Sequence, residues 1–136
     1  MHQHTFVVLA YKVSPFLEEC LSSLRDQSFV SSIIIATSTP SRFIDEMGRT
    51  FGYPVHINPK SGGIASDWNF GLAQASTPFV TLAHQDDIYD RTYSEKMLKA
   101  ANEWSDNLIT FSDYSEMIGG EIRTDTTNLL VKKGLI

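Results

Sequence analysis

Apolar residues along this chain fall into two kinds of block. Near-continuous runs occupy residues 5–10 (T-F-V-V-L-A), 33–36 (I-I-I-A), 55–58, 79–83 (F-V-T-L-A) and 108–111 (L-I-T-F). Short runs of this kind suit strands buried on both faces. Pro54 and Pro59 flank the third run and weaken it, while Pro78 stands just before the fourth, where a proline can open a strand. The other blocks repeat every three or four positions. Ser14 as N-cap and Pro15 as first helical residue open a helix that turns Phe16, Leu17, Cys20, Leu21 and Leu24 to the sheet, with Glu18 and Glu19 suiting its dipole. A second helix over 40–51 buries Phe43, Ile44, Met47 and Phe51 and stops at Gly52. A third covers 66–75. A fourth covers 90–104, with Tyr93, Met97, Ala101 and Trp104 along its inner side. Gly119-Gly120 marks the turn of a hairpin running on through 121–124. The last twelve residues have no clear period; Leu129, Leu130 and Val131 form a short helix or strand there.

Strands alternating with helices predict an α/β fold, a mostly parallel sheet flanked by helices in the Rossmann-like manner, with right-handed crossovers. Ligands of such sheets bind at the carboxyl ends of the strands. Four loops should therefore gather on one rim: Tyr11-Lys12, residues 37–39, the Gly62-Gly63 turn and residues 84–87.

The last of these loops reads H-Q-D-D. Alternation along an extended chain puts His84 and Asp86 on one face and Gln85 and Asp87 on the other. An imidazole and a carboxylate at the end of a buried strand suit a divalent cation and the phosphate it carries. A solvated acidic turn is the plainer reading, since aspartate favours loops. Gly62 and Gly63 allow a tight turn and close approach of a ligand, and the helix behind them offers its amino end to an anion; a plain turn explains the pair equally well. Trp68 fits a core position as readily as a site.

Composition narrows the choice. The 136 residues make one domain with room for a core. With 42% apolar and 20% charged residues, disorder is not the default. A net charge of −5, with Lys132-Lys133 as the clustered bases, argues against nucleic acid. The single cysteine, Cys20, makes no internal disulfide and fits a reducing compartment, as a small core residue rather than a nucleophile. No signal peptide and no apolar run of spanning length are present, which suggests a cytoplasmic protein. His2 and His4 lie in a polar N-terminus and are expected at the surface. A phosphoacceptor receiver domain has similar length, but needs an acidic pair where this chain has Ala10-Tyr11.

Taken in order, these residues resemble the N-terminal part of a family-2-type glycosyltransferase with the GT-A fold. The likeness rests on Leu9-Ala10-Tyr11 ending the first strand, an L-E-E-C-L-x-S-L helix at 17–24 and the apolar strand at 33–36. It continues with Gly62-Gly63 through Asn69 and Gly71, then His84 to Asp87 after Trp68-Asn69. It covers residues 5–115. It implies one GT-A-like nucleotide-sugar-binding domain over 1–136, without the C-terminal acceptor half. Ala10, Tyr11 and Thr37 would border the nucleoside, with Gly62, Gly63, Asn69 and Gln85 in the same donor site. Asp86 would hold Mg2+ or Mn2+, assisted by His84 and Asp87. The implied reaction is metal-dependent, inverting transfer from a nucleoside-diphosphate sugar to a glycan or lipid-linked acceptor. It would serve bacterial surface polysaccharide at the inner face of a membrane. The catalytic base is unassigned, because the family's usual base lies in the acceptor half. Two departures stand out: Thr37-Ser38 replaces an acidic pair, and His84 replaces an aspartate. A module that binds nucleotide sugar without turnover is the alternative, and an exposed sheet edge would permit self-association.

Overall fold

A computed structural model describes residues 2–104, 106 and 108–124. The stretch at Leu129, Leu130 and Val131, and the Lys132-Lys133 pair, lie outside the described residues. Four strands, β1 (His4–Leu9), β2 (Ser32–Thr37), β3 (Val55–Ile57) and β4 (Phe79–His84), form one parallel sheet in the order β3-β2-β1-β4. They alternate with α1 (Leu17–Arg25), α2 (Arg42–Phe51) and α3 (Ile64–Gln74), and α4 (Tyr93–Glu103) follows the last. The mostly parallel, helix-flanked sheet expected from the apolar runs is thus the observed one.

Side chains alternate across the sheet and divide the core in two. Phe6, Val8, Ile33, Ile35 and Ala83 meet Leu17, Cys20, Leu21 and Leu24 of α1 and Ile44 of α2. Val7, Ile34 and Ala36 point the other way, against Phe70 of α3, with Leu9, Val80 and Leu82 at the margin. α3 approaches this second face at Gly71, where a Cβ would lie 2.8 Å from Val7 Cγ1. α2 begins at Ser41, whose hydroxyl accepts from Ile44 N, and ends at Gly52 in the left-handed conformation.

Several expectations shift. α1 starts at Leu17, because the Ser14 hydroxyl accepts from Phe16 N in a turn before the helix, and Phe16 is 54% exposed rather than sheet-facing. α3 starts two residues earlier than expected, on Gly63. α4 starts later, because Asp90 Oδ1 takes both the backbone N–H and the hydroxyl of Thr92 in a local turn. Its buried residues are Ser94 and Leu98, and Trp104 is 68% exposed. Residues 108–111 form no strand, and Leu108 is 95% exposed. An apolar run becomes a strand only where a neighbour completes its ladder, and among the described residues β4 is the edge of the sheet on that side. The hairpin forms as β5 (Glu116–Ile118) and β6 (Glu121–Arg123), with both turn glycines at positive φ. His4 is buried, not surface-exposed: its ring bonds Ser31 Oγ and Thr81 Oγ1, each at 2.8 Å. No helix among the described residues is long and apolar enough to cross a membrane.

Candidate functional site at the carboxyl rim of the sheet

The strand order reverses direction beside β1. The chain steps outward from β1 to β2 and β3, then returns to place β4 on the other flank of β1. Such a switch point opens a crevice at the carboxyl ends of the two diverging strands, here between Tyr11 and the residues after His84. Gln85 spans it. Its side-chain oxygen accepts from Tyr11 N and its amide donates to Tyr11 O, both at 3.0 Å. Tyr11 is followed by Lys12 at φ +55, a conformation that costs a non-glycine residue and marks functional rims when it is held by its surroundings. What holds it is Thr39, whose hydroxyl accepts from Lys12 N at 2.6 Å. The β1, β2 and β4 exits are thereby tied together.

The β3 exit and α3 close the circle. Asn58 donates to Asp67 Oδ1, and Ser38 donates to Asp67 Oδ2, both at 2.9 Å. Gly63, at φ +79, turns the chain into α3, whose first turn has no side-chain cap. The amino end of such a helix favours an anion. Thr37 is 1% exposed, with Ser38 and Thr39 half-buried, so the reachable hydroxyls of that loop belong to the latter two. Ala10 is buried and shapes the floor. Asn69 lies on the β3 flank, in an open cleft of about 470 Å³ that it shares with Asn58, Pro59, Lys60, Ser66 and Phe70.

Past β4, His84 turns to the α3 side, its ring centroid 5.4 Å from that of Trp68. Asp86 and Asp87 are both exposed, yet partial desolvation, then the nearby Asp86 charge, hold the Asp87 carboxyl above the usual range; His84 partly offsets this. The same two aspartates and, above all, burial push the Cys20 thiol up to about 12. It donates to His84 O and is inert packing, as expected. Among the described residues the ion pairs lie elsewhere, on Asp26, Glu46 and Glu103. No three His, Cys, Asp or Glu side chains among them come together as a ready-made metal cage. Two adjacent carboxylates that make no ion pair with a lysine or arginine among the described residues do fit a cation whose coordination is completed by phosphate oxygens and water.

The sheet order, the crevice at its switch point and the acidic loop define a Rossmann-like domain of the GT-A type. The chain belongs to the family described as Glycosyl transferase family 2, whose model matches residues 5–134. It is 24% identical over 116 residues to glycosyltransferase GlyA of Streptococcus pneumoniae serotype 4 (strain ATCC BAA-334 / TIGR4), covering 82% of this chain and 17% of GlyA. Its fold is similar to that of S. aureus TarS, with a TM-score of 0.62 and 20% identity, over 74% of this chain and 20% of that one. It is also similar to the mannosyltransferase PcManGT from Pyrobaculum calidifontis, solved in complex with GDP-Man and Mn2+. There the TM-score is 0.62 and the identity 18%, over 79% of this chain and 33% of that one. The chain thus spans a third or less of the length of each of these proteins.

Proposed function

We propose that this domain is the donor-binding part of a glycosyltransferase, taking a sugar from a nucleoside diphosphate and passing it with inversion to a glycan or lipid-linked acceptor. The observation that carries the reading is the knitting of four strand exits into one rim at the switch point, with the adjacent Asp86 and Asp87 carboxylates at one side. Membership in the family and the GDP-Man and Mn2+ in PcManGT support it.

In this reading the nucleoside lies over Ala10 and Tyr11 beside the residue 37–39 loop. The Gly62-Gly63 turn and the open first turn of α3 face the diphosphate. Gln85 keeps Tyr11 and the acidic loop at a fixed separation. Asp86, with Asp87 beside it, would hold Mg2+ or Mn2+, and His84 borders that site against Trp68. Bound there, the cation would supply Lewis-acid stabilisation of the leaving diphosphate. Acceptor contacts and the base for its hydroxyl have no assignment among these residues. We place the work in the cytoplasm, at the inner membrane face, in the building of bacterial surface polysaccharide. Self-association fits the β4 edge, unpaired among the described residues, and the exposed Ile64, Trp68 and Leu72 along one side of α3.

Calorimetric titration with UDP, dTDP and GDP, in Mn2+ and in EDTA, tests the donor site. At least one should bind in Mn2+, weaken strongly in EDTA, and lose the metal effect in Asp86→Ala. Equal binding with and without metal would remove Asp86 from this role, and no binding to the folded domain would remove the donor site.

A further inference from the structure

Between β4 and α4 the chain runs through residues 85–92 without regular structure, yet it is fastened on both sides of the acidic pair. The near fastening is the Gln85 side chain on the backbone of Tyr11. The far one comes from α1 and the turn behind it. Ser23 Oγ donates to Cys20 O at 2.7 Å and accepts from Tyr89 N at 3.1 Å. One turn further along, Gln27 is buried with its amide fully engaged. Its nitrogen donates to Asp90 O at 2.7 Å and to Ser23 O at 3.1 Å, and its oxygen accepts from Ser94 N at 2.9 Å.

These two side chains satisfy backbone groups that the loop itself leaves open. Tyr89 N belongs to no strand ladder, and Ser94 N lies in the first turn of α4, where a helix supplies no acceptor of its own. The Gln27 amide matches its partners, a donor for a carbonyl and an acceptor for an N–H. A glutamate there would set a second acceptor against Asp90 O. Between Gln85 and Tyr89 stand only Asp86, Asp87 and Ile88, so the place where α1 holds the far end decides where the two carboxylates stand. A loop already held this way loses less conformational entropy when a cation draws its carboxylates together. We infer that Ser23 and Gln27 are positioning residues for the cation of Asp86 and Asp87, acting through the backbone of residues 89–94 rather than by ligation. The inference rests on the donor-site reading above and adds to it a support from α1.

The test follows Mn2+ alone by loss of its free electron paramagnetic resonance signal, and UDP by calorimetry in Mn2+ and in EDTA. It compares wild type, Ser23→Ala, Ser23→Thr, Gln27→Met and Leu98→Ala. Ser23→Ala and Gln27→Met should bind Mn2+ about tenfold more weakly, as losses behind a metal's ligands do. They should also show a smaller gain in UDP affinity from Mn2+, while their UDP affinity in EDTA matches wild type. Ser23→Thr keeps the hydroxyl and should bind Mn2+ as wild type does. Leu98→Ala removes a buried side chain of α4 but none of these bonds. It should lose stability and keep Mn2+ affinity, which separates positioning from general weakening. Should Gln27→Met not fold, Ser23→Ala, with one bond to the loop lost, carries the same test. Wild-type Mn2+ affinity in the folded Ser23 and Gln27 variants, or an equal loss in Leu98→Ala, overturns the inference while the cation site stands. Equal binding of UDP by wild type in Mn2+ and in EDTA overturns the cation reading itself, and the inference with it.

Discussion

His4 sits at the amino end of β1, far along the strand from the rim, with both ring nitrogens engaged by hydroxyls and its ring edge-on to Phe6 at 4.6 Å. Burial lowers its pKa from 6.5 to about 4. A histidine whose folded pKa is depressed is held neutral by the fold, so its stabilising contribution is complete above the unfolded value and lost as pH falls toward the folded one. Stability should therefore decline between pH 6.5 and about 4, by up to about 3 kcal/mol from this group. Denaturant melts across that range would show the decline in wild type and a flatter profile in His4→Gln. Nothing in the sequence marked this residue: it lies beside His2 in a polar stretch, and its partners are 27 and 77 residues away. Asp67 escaped notice for the same reason. Its hydrogen bonds reach Ser38, 29 residues back, and leave no local pattern.

At the level of elements, what was legible followed burial. β1 and β2 announced themselves because strands in the middle of a parallel sheet are apolar on both faces, and β4, at the edge among the described residues, is apolar on both faces as well. The inner side of α4 did so only in part. Of Tyr93, Met97, Ala101 and Trp104, Tyr93 packs on the core against Phe6, but Trp104 is exposed and the buried positions of the helix are Ser94 and Leu98, with the Ser94 hydroxyl donating to Phe29 O. Leu98→Ala should accordingly cost about 2–5 kcal/mol, the usual range for a buried leucine. Trp104→Ala should change stability by no more than about 0.5 kcal/mol, as surface substitutions do. Equal effects would mean that the helix is rotated from this register. Gly71 sets the distance between α3 and the sheet, and with it the placement of Asp67, Trp68 and the Gly63 turn. Gly71→Ala would drive a methyl against Val7 and Leu9, and an overpacked site of this kind costs about 1–3 kcal/mol. A thermal melt no lower than wild type would show that α3 moves away freely. Residues 108–111 illustrate the opposite limit. Their β-propensity is plain, but a strand is a property of a pair, and the sequence of one run says nothing about whether a partner is present.

For the whole molecule, the order β3-β2-β1-β4 does the decisive work. It brings together residues that the chain separates widely: Tyr11 with Gln85, Lys12 with Thr39, Ser38 and Asn58 with Asp67. That the four exit loops share a rim was readable from the alternation of strands and helices alone. How the rim is fastened was not, since hydrogen bonds across 74 residues depend on register rather than on composition. Asn69, grouped by the resemblance with the nucleotide-sugar residues, lines a cleft with Asn58, Lys60 and Ser66 on the β3 side of the rim. Along the rim, hydroxyls lie near β2, glycines and the amino end of α3 near β3, and carboxylates past β4.

The most direct measurement of this arrangement is a two-dimensional amide NMR titration with UDP and GDP, first with Mg2+ and then with trace Mn2+ as a paramagnetic probe. The account expects shifts in Mg2+ at Tyr11, Ser38, Thr39, Gly63 and Gln85 together. With Mn2+, broadening should be strongest at His84 to Asp87 and fade with distance along the rim. Broadening centred elsewhere, such as the shallow cleft formed by Asp45, Arg49 and Tyr53 at the start of β3, would contradict it.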